Sequence, residues 1–573
     1  MHYKISYQEP LSHFVDISAE FHSKHGNYID LLLPAWRPGR YELANYAQNI
    51  RNISATDAEQ QPLPIRKVSR NRWRIRNTSN TSLIKVNYQY YANQLDAGGS
   101  LLDDRLLYLN FINCLLYREE LMNDPCSVEL MVAGDCKIAC GLPRKGRRLE
   151  ANSYYQLVDA PVIASKHLVR WRYQQNGVQF SIWILGTHQL NKPKLIKAFK
   201  AFSGEQINTM GSFPERDYHF LILAPGFNIY HGVEHATSTV ITLGPGKELH
   251  KKLYPELLGV CSHELFHCWN VLRIRPKEML PYDFSKESYF ETGFVAEGVT
   301  TYYGDLFLLR SGVINQAEYF KEVDKLFKRH FENEGRHYAS LIESSQDLWV
   351  DGYRKSAPGR KVSIYTKGAL VALMTDLTIR KYTDHGKSLD QVMRYLWENF
   401  GQKNIGYTFN DYKNVCKQMA GVSLQSFFSD YVEGVTPLEQ EVNDLLAEVG
   451  CQLTTVPSKQ LYEKVFGFSA QRNQQQWTVT QVLPGTPAYG KLSEQDLVIK
   501  LNGKAPRENL NSSIDPSGHL KLVVRRSGEK RKVILTPDNQ EYYRQYHLRK
   551  IKNPSLKQQE GYFQWLKIAH ASD

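Results

Sequence analysis

The feature that most constrains this chain is five residues long: His263-Glu264-Leu265-Phe266-His267. On a helix, residues i and i+4 lie on one face, so both imidazoles reach one cation. Glu264 follows the first histidine directly and stands beside the ion, where a general base is needed. The flanks favour a helix, because Tyr254 to Leu272 contains no proline after Pro255. Catalytic zinc takes three protein ligands and keeps a fourth position open. Glu297 is the candidate third ligand, in Phe294-Val295-Ala296-Glu297-Gly298-Val299. An acid in so apolar a stretch is costly unless it is paired or binds metal. Glu287 and Glu291 compete by distance alone, in a polar and aromatic approach segment. The implied cofactor is one zinc ion per chain.

Composition narrows the setting. The 573 residues suggest three to five domains at roughly 100–200 residues each. Hydrophobic residues at 42% and charged residues at 23% exclude a largely disordered or fibrous chain. No run approaches the roughly 18 to 20 apolar residues that span a bilayer. The start, MHYKISYQEP, lacks the basic and apolar pattern of a secretory signal, so the expected location is cytoplasmic, with no membrane span. Net charge is +12, spread along the chain apart from Lys521 to Lys532 and a basic C-terminal tail. Nucleic-acid binding calls for a concentrated basic stripe, so no nucleic-acid partner is expected. The eight cysteines show no C-x-x-C spacing and read as free thiols in a reducing compartment.

The fold class expected is α+β and multidomain. Residues 1–180 read as an N-terminal β-sandwich-like domain, with strands such as Val15 to Phe21, Tyr28 to Leu33 and Leu83 to Tyr91. Residues 181–450 begin with three strands, the last Ser238 to Leu243. They continue in long helical periodicities over Tyr254–Leu272, Thr292–Arg310, Gln316–Asn333 and Tyr365–Tyr382. Residues 451–540 return to short strands and turns, and 541–573 form a basic, aromatic tail. Charge runs of that kind usually face water or belong to a packed helix.

HELFHCWNVLRIRP (His263 to Pro276), followed by FVAEGVTTYYGDL (Phe294 to Leu306), resembles the glycyl aminopeptidase family of PDZ-containing zinc metallopeptidases. These are relatives of the thermolysin-like zincins. Leu33-Pro34-Ala35-Trp36-Arg37-Pro38-Gly39 is similar to the family's N-terminal β-domain motif. His231-Gly232-Val233-Glu234-His235 resembles its G-G-x-E-H segment, and Tyr365-Thr366-Lys367-Gly368 the Y-x-K-G of wider aminopeptidases. The resemblance implies a thermolysin-like catalytic domain over 181–450, with zinc on His263, His267 and Glu297 and with Glu264 as base. It implies that Glu234 holds a peptide's α-ammonium, with Gly232 and Val233 along the substrate. Ser238 to Leu243 is then a further candidate to lie beside it. Tyr365 would donate to the oxyanion. Together these imply hydrolysis of the first peptide bond in peptides with small N-terminal residues. The chain departs from the family at His231, where glycine is common, which leaves the width of the first-residue pocket open. His231 and His235 read as polar lining rather than as ligands of an unusual site. Thr301 stands four residues after Glu297, where the thermolysin branch has an acid that orients a histidine; Asp305 is a possible helper.

Phe466-Gly467-Phe468 and VLPGTPAYGKLSEQDLVIKLNGK (Val482 to Lys504) resemble a PDZ domain. Such a module binds a peptide C-terminus or an added strand, or it serves as packing. Two other functions stay open: a zinc endopeptidase of the same architecture, or a PDZ-bearing peptide-binding scaffold with little catalysis.

Overall fold

The computed structural model describes residues 1–22, 26–79, 81–354, 356–474 and 476–570. The last three residues of the tail therefore lie outside the described chain. The N-terminal region is β-rich. Its largest sheet has eight strands, with His2–Ser6, Phe14–His22 and Leu83–Tyr91 adjacent at its centre. Alternation drives this pairing: Val15, Ile17, Ala19 and Phe21 are buried, as are Ile84, Val86, Tyr88 and Tyr90 across the ladder. A three-stranded sheet of Tyr28–Leu32, Arg72–Arg76 and Ile65–Ser69 shares the same core.

That core extends into the middle of the chain. Trp36 is fully buried, donates from Nε1 to the Asp283 carbonyl at 2.7 Å, and meets Trp349 edge-on at 5.1 Å. Ala35 N–H donates to the Phe284 carbonyl at 2.7 Å. The Leu33–Gly39 segment is thus pinned against residues 279–290 and 348–364, the approach to the helices of the middle region.

The middle region opens with a five-stranded sheet ordered Val169–Gln175, Val178–Gly186, Asp217–Ala224, Ser238–Gly244 and Ile229–His235. Ser238–Gly244 is paired on both sides and buried throughout. The free edge is Ile229–His235. This corrects the expectation that Ser238 to Leu243 lies along a substrate, because its backbone groups are consumed within the sheet.

Helices follow. Tyr254–Phe266 is shorter than the expected Tyr254 to Leu272. The chain turns after His267, and Trp269 buries its ring and donates from Nε1 to the Ser212 carbonyl at 2.8 Å. Phe294–Val299 forms a π-helical turn that runs into the α-helix Thr300–Arg310. Such turns re-aim side chains and recur at functional sites. Gly298 packs directly on the backbone of Gly368 in the central helix Thr366–Tyr382, where no Cβ would fit. That helix is buried from Thr366 to Arg380, its Lys367, Asp376 and Arg380 included.

The C-terminal sheet runs in sequence order from Phe468–Asn473 to Glu529–Leu535. Cys451–Val456 does not join it but pairs with Gln545–Lys550 of the tail. The tail then forms the helix Leu556–Leu566, whose Tyr562, Trp565 and Leu566 are fully buried in the core of the helical region. Trp565 Nε1 donates to the Tyr302 hydroxyl at 2.9 Å, and Arg310 Nε donates to the Trp565 carbonyl at 3.0 Å. The tail thus takes the packed-helix alternative, and its aromatic residues brace the helix behind Glu297. No described helix is long and apolar enough to cross a membrane.

Trp565→Ala is expected to cost about 3–5 kcal/mol, by the usual cost of emptying a large aromatic site. Phe563→Ala, on the exposed face of the same helix, should stay within about 0.5 kcal/mol. Urea denaturation of both variants checks the contrast.

Candidate active site

His263 lies in the last turn of Tyr254–Phe266, and His267 caps it. Their Nε2 atoms stand 3.1 Å apart. Glu297 Oε2 lies 3.9 Å from the first and 3.4 Å from the second. A tetrahedral zinc with bonds near 2.0–2.1 Å holds its donors roughly 3.3 Å apart, so this triangle fits such an ion. His267 Nδ1 contacts the Asn270 carbonyl at 2.6 Å, which leaves Nε2 free to bind a cation. Asn270 is buried, and its Nδ2 donates to Val295 O at 2.8 Å, Ala296 O at 3.2 Å and Thr300 Oγ1 at 3.0 Å. One residue therefore ties the histidine turn to the π-helical turn bearing Glu297.

A second cluster shares His267. Donor atoms of Glu234, Glu264 and His267 lie within 4.8 Å of one another. Glu234 Oε1 and Glu264 Oε2 are both buried without a hydrogen-bond partner. Burial pushes the Glu264 carboxyl well up, helped by the charges of Glu234 and Glu297 and opposed by His267. Glu234 is raised by burial and by Glu297, with His267 again opposing. His267 is pushed up to about 10, because the surrounding carboxylates outweigh its own burial. Buried acids that crowd one imidazole and lack partners are suited to a cation and a cationic ligand.

Glycines bring the carboxylates this close. A Cβ on Gly232 would overlap the Glu264 carboxylate, so the edge strand Ile229–His235 sits directly on it. Gly39, at φ +75°, closes over Glu234, and a Cβ there would lie 2.5 Å from Oε2. Val233 is buried behind the strand. The buried guanidinium of Arg37 acts on both Glu234 and Glu264, lowering each, and it rests on Gly98. The N-terminal region thus roofs the site.

Tyr365 caps the helix Thr366–Tyr382, and its hydroxyl lies 3.4 Å from that of Tyr353. Burial, then the charge of Glu297, raises its pKa well above the usual phenol value, which keeps it a donor. His231 Nδ1 is 3.5 Å from Asp96 Oδ1 of the N-terminal region. Burial opposes ionisation of Asp96, yet donors from His231, Gln94 and Gly98 outweigh it and hold the carboxyl well below its ordinary range. His235 Nδ1 meets Asp159 Oδ1 at 3.1 Å. Neither His231 nor His235 joins a metal cluster among the described residues. Asp305 lines a cavity of about 10 Å³ with Thr301 and Tyr319, and burial raises its carboxyl to about 7. It is not the group that orients His267, which is Asn270. Glu287 and Glu291 also stand outside both clusters.

Comparison with known proteins agrees with this arrangement. Residues 2–166 match the family model of the peptidase M61 N-terminal domain, and residues 256–371 match that of the M61 glycyl aminopeptidase. The crystal structure of an aminopeptidase N family protein from Idiomarina loihiensis superposes with a TM-score of 0.90, at 27% identity over 99% of both chains. Both matched regions are thus similar to those of the M61 glycyl aminopeptidase family. The chain's fold and its clustered histidines and glutamates are those of a zinc-type metallopeptidase. An M1 zinc metallopeptidase from Deinococcus radiodurans aligns more loosely, with a TM-score of 0.47 and 13% identity over 76% of this chain and 94% of that one. No curated protein matches.

Within this site, sequence reasoning missed Asn270, Arg37, Asp96 and Tyr353. Asn270 stands inside the H-C-W-N run, three residues from the ligand it orients. Arg37 stands inside the N-terminal motif, but nothing local to that motif points to a carboxylate some 200 residues on, a span that loops of this kind readily close.

Gly232→Ala drives a methyl group into Glu264. It is expected to lower kcat/KM on the order of 10²-fold, the usual cost of shifting a reacting group by about 1 Å. Metal content, measured by plasma mass spectrometry, should be unchanged.

Proposed function

We propose that this chain is a zinc aminopeptidase that releases one small residue, of the glycine or alanine type, from a peptide N-terminus. The observation that carries the reading is Glu234. Its carboxylate is 4% exposed, has one oxygen without a hydrogen-bond partner, and lies beside Glu264 and His267 under the backbone of Gly39. Such a group favours an ammonium. Gly39 closes the far side, leaving no path for a residue preceding that ammonium.

In this reading His263, His267 and Glu297 hold one zinc ion, which when bound supplies a Lewis acid that polarises a carbonyl and acidifies water. Glu264 takes the proton from the attacking water and returns it to the leaving amine. Tyr365 donates to the developing oxyanion, and Tyr353 holds that phenol in place. Glu234 binds the ammonium, while Gly232 and Val233 offer the free edge of Ile229–His235 to the peptide backbone. His231, drawn toward Asp96, narrows the first-residue pocket and favours small side chains. A cytoplasmic setting fits the eight free thiols.

The chain divides near 180 and 450, with a PDZ-like module within 451–540 and the tail at 541–573. Two pairings refine this division. Val169–Gln175 shares the peptidase sheet, and Cys451–Val456 pairs with the tail. The PDZ-like module acts in packing rather than carboxylate capture. Gly467 N–H donates to the Glu463 carbonyl at 3.1 Å instead of facing a groove. The Glu463 carboxylate, held by Ser458 and Ser469, stands beside that loop and repels an anionic chain end. Gln481 Nε2 donates to the Glu332 carbonyl at 3.0 Å, a link to the helical region.

The test uses matched peptides beginning with Gly, Ala or Leu, free or N-acetylated, with products read by mass spectrometry. Loss of one residue from the free peptides alone, fastest for Gly and Ala, is expected. Internal cleavage of acetylated peptides would instead make the chain an endopeptidase, and no cleavage would favour a binding scaffold. Glu264→Gln should keep its metal and lose about 10²–10⁴-fold in kcat, the range of a general base. Glu297→Gln should lose the metal itself on dialysis.

A further inference from the structure

Beyond the metal cluster lies a second concavity, about 270 Å³, at the junction of the N-terminal region and the peptidase. It opens beside Ala236 and Thr237, in the turn that follows the strand of Glu234, and beside Pro38, just before the Gly39 roof. Tyr155, Phe284 and Tyr282 give it aromatic walls, and Arg273 and Arg275 enter from the segment after the histidine turn.

The charges in this cavity are unequally matched. Arg273 is ion-paired with Glu215. Asp159 is engaged by the strand, since Oδ1 meets His235 Nδ1 at 3.1 Å and Oδ2 accepts from Ala236 N–H at 2.9 Å. Arg275 has no carboxylate within 4.0 Å among the described residues. Its guanidinium lies 4.1 Å over the Tyr282 ring, Nη2 donates to the Leu272 carbonyl at 3.0 Å, and Nε is buried with no partner. A buried N–H without an acceptor is costly, and the contact with the Tyr282 ring restrains where the remaining guanidinium donors stand.

We propose that this cavity binds a small carboxylate with an apolar body, the carboxylate on Arg275 and the body against Tyr155 and Phe284. The inference does not depend on the peptidase reading, because the site uses none of the residues assigned to the metal or the ammonium. Carboxylate and guanidinium pair through charge-assisted N–H···O bonds, and Arg275 is the cavity's guanidinium that no carboxylate of the described residues engages. Glu215 limits the affinity by holding Arg273 out of the contact.

The test is calorimetric titration of the metal-loaded full chain with N-acetylphenylalanine, which has no ammonium for Glu234, and with its neutral amide. The acid is expected to bind at least about tenfold more tightly than the amide, the worth of a hydrogen bond to a charged group. Arg275→Gln should reduce the acid to the level of the amide. Glu215→Gln, at a half-exposed position, frees Arg273 and should tighten the acid by about threefold or more, by that same contribution. Tightening is a change that loss of packing cannot produce, so it decides the matter even if Arg275→Gln proves unstable. Equal binding of acid and amide, or no binding of either, would overturn the proposal. So would identical acid affinities in wild type and Glu215→Gln, because the carboxylate would then sit on the metal.

Discussion

The structure is organised around buried negative charge. Glu234, Glu264 and Glu297 converge on His267 in a pocket from which water is largely excluded. The cost of desolvating a carboxylate is several kcal/mol even after relaxation, of the order found for buried ions generally. Hydrogen bonds from the protein offset it only in part, since Glu234 Oε1 and Glu264 Oε2 have none. The arrangement is stable only with positive charge at its centre. Arg37 supplies part from the N-terminal side. The remaining demand suits a cation between the histidines and, in the proposed reaction, the substrate's ammonium. Catalysis and metal retention thus draw on one electrostatic deficit.

Meeting that demand requires both ends of the chain. The Leu33–Gly39 segment works because Trp36 is wedged among Tyr282, Phe284 and Trp349. That wedge sets the height of Gly39 over Glu234. From the opposite side, the tail helix locks the helix Thr300–Arg310 through Trp565, and the Gly298–Gly368 contact sets the depth of the π-helical turn. Packing thus sets the position of Glu297, whose carboxylate meets His267 Nε2 at 3.4 Å. A rigid scaffold of this kind keeps ligands in place before the ion arrives, which limits the reorganisation needed at the reacting centre.

Much of this was legible in the sequence. The i, i+4 histidines, the acid in an apolar stretch and the alternating strands of the N-terminal sheet each carry a local pattern, and each formed the expected element. The failures have a common physical cause. Strand order is non-local, so the sequence marked Ser238 to Leu243 as a strand without saying whether it stood at the edge, and left the edge strand Ile229–His235 unmarked. Helix termination after His267 depends on where Trp269 finds a pocket, and that pocket is built by Ser212 and its neighbours. Asp305 shares the helix with Glu297 but lies eight residues on, one turn beyond the position Thr301 occupies, and it lines a different cavity. The tail's charges drew attention to solvent, while its buried face was carried by only three residues, Tyr562, Trp565 and Leu566.

The roof over Glu234 also bears on why an exopeptidase and an endopeptidase can share this architecture. Both need a metal, a base and an oxyanion donor, and the distance between them is fixed by the bond being cut. They differ in what lies upstream of the first residue. Here that space is occupied by backbone: Gly39, in a left-handed conformation that permits close approach, and the turn from Arg37 to Arg40 that carries it. A side chain at position 39 could not approach so closely without displacing the carboxylate. Length selection in the proposed reaction is thus set by a glycine in a different structural unit from the metal. It persists only while Trp36 keeps the two units in register, and the docking of the N-terminal region is in that sense part of the specificity of the site.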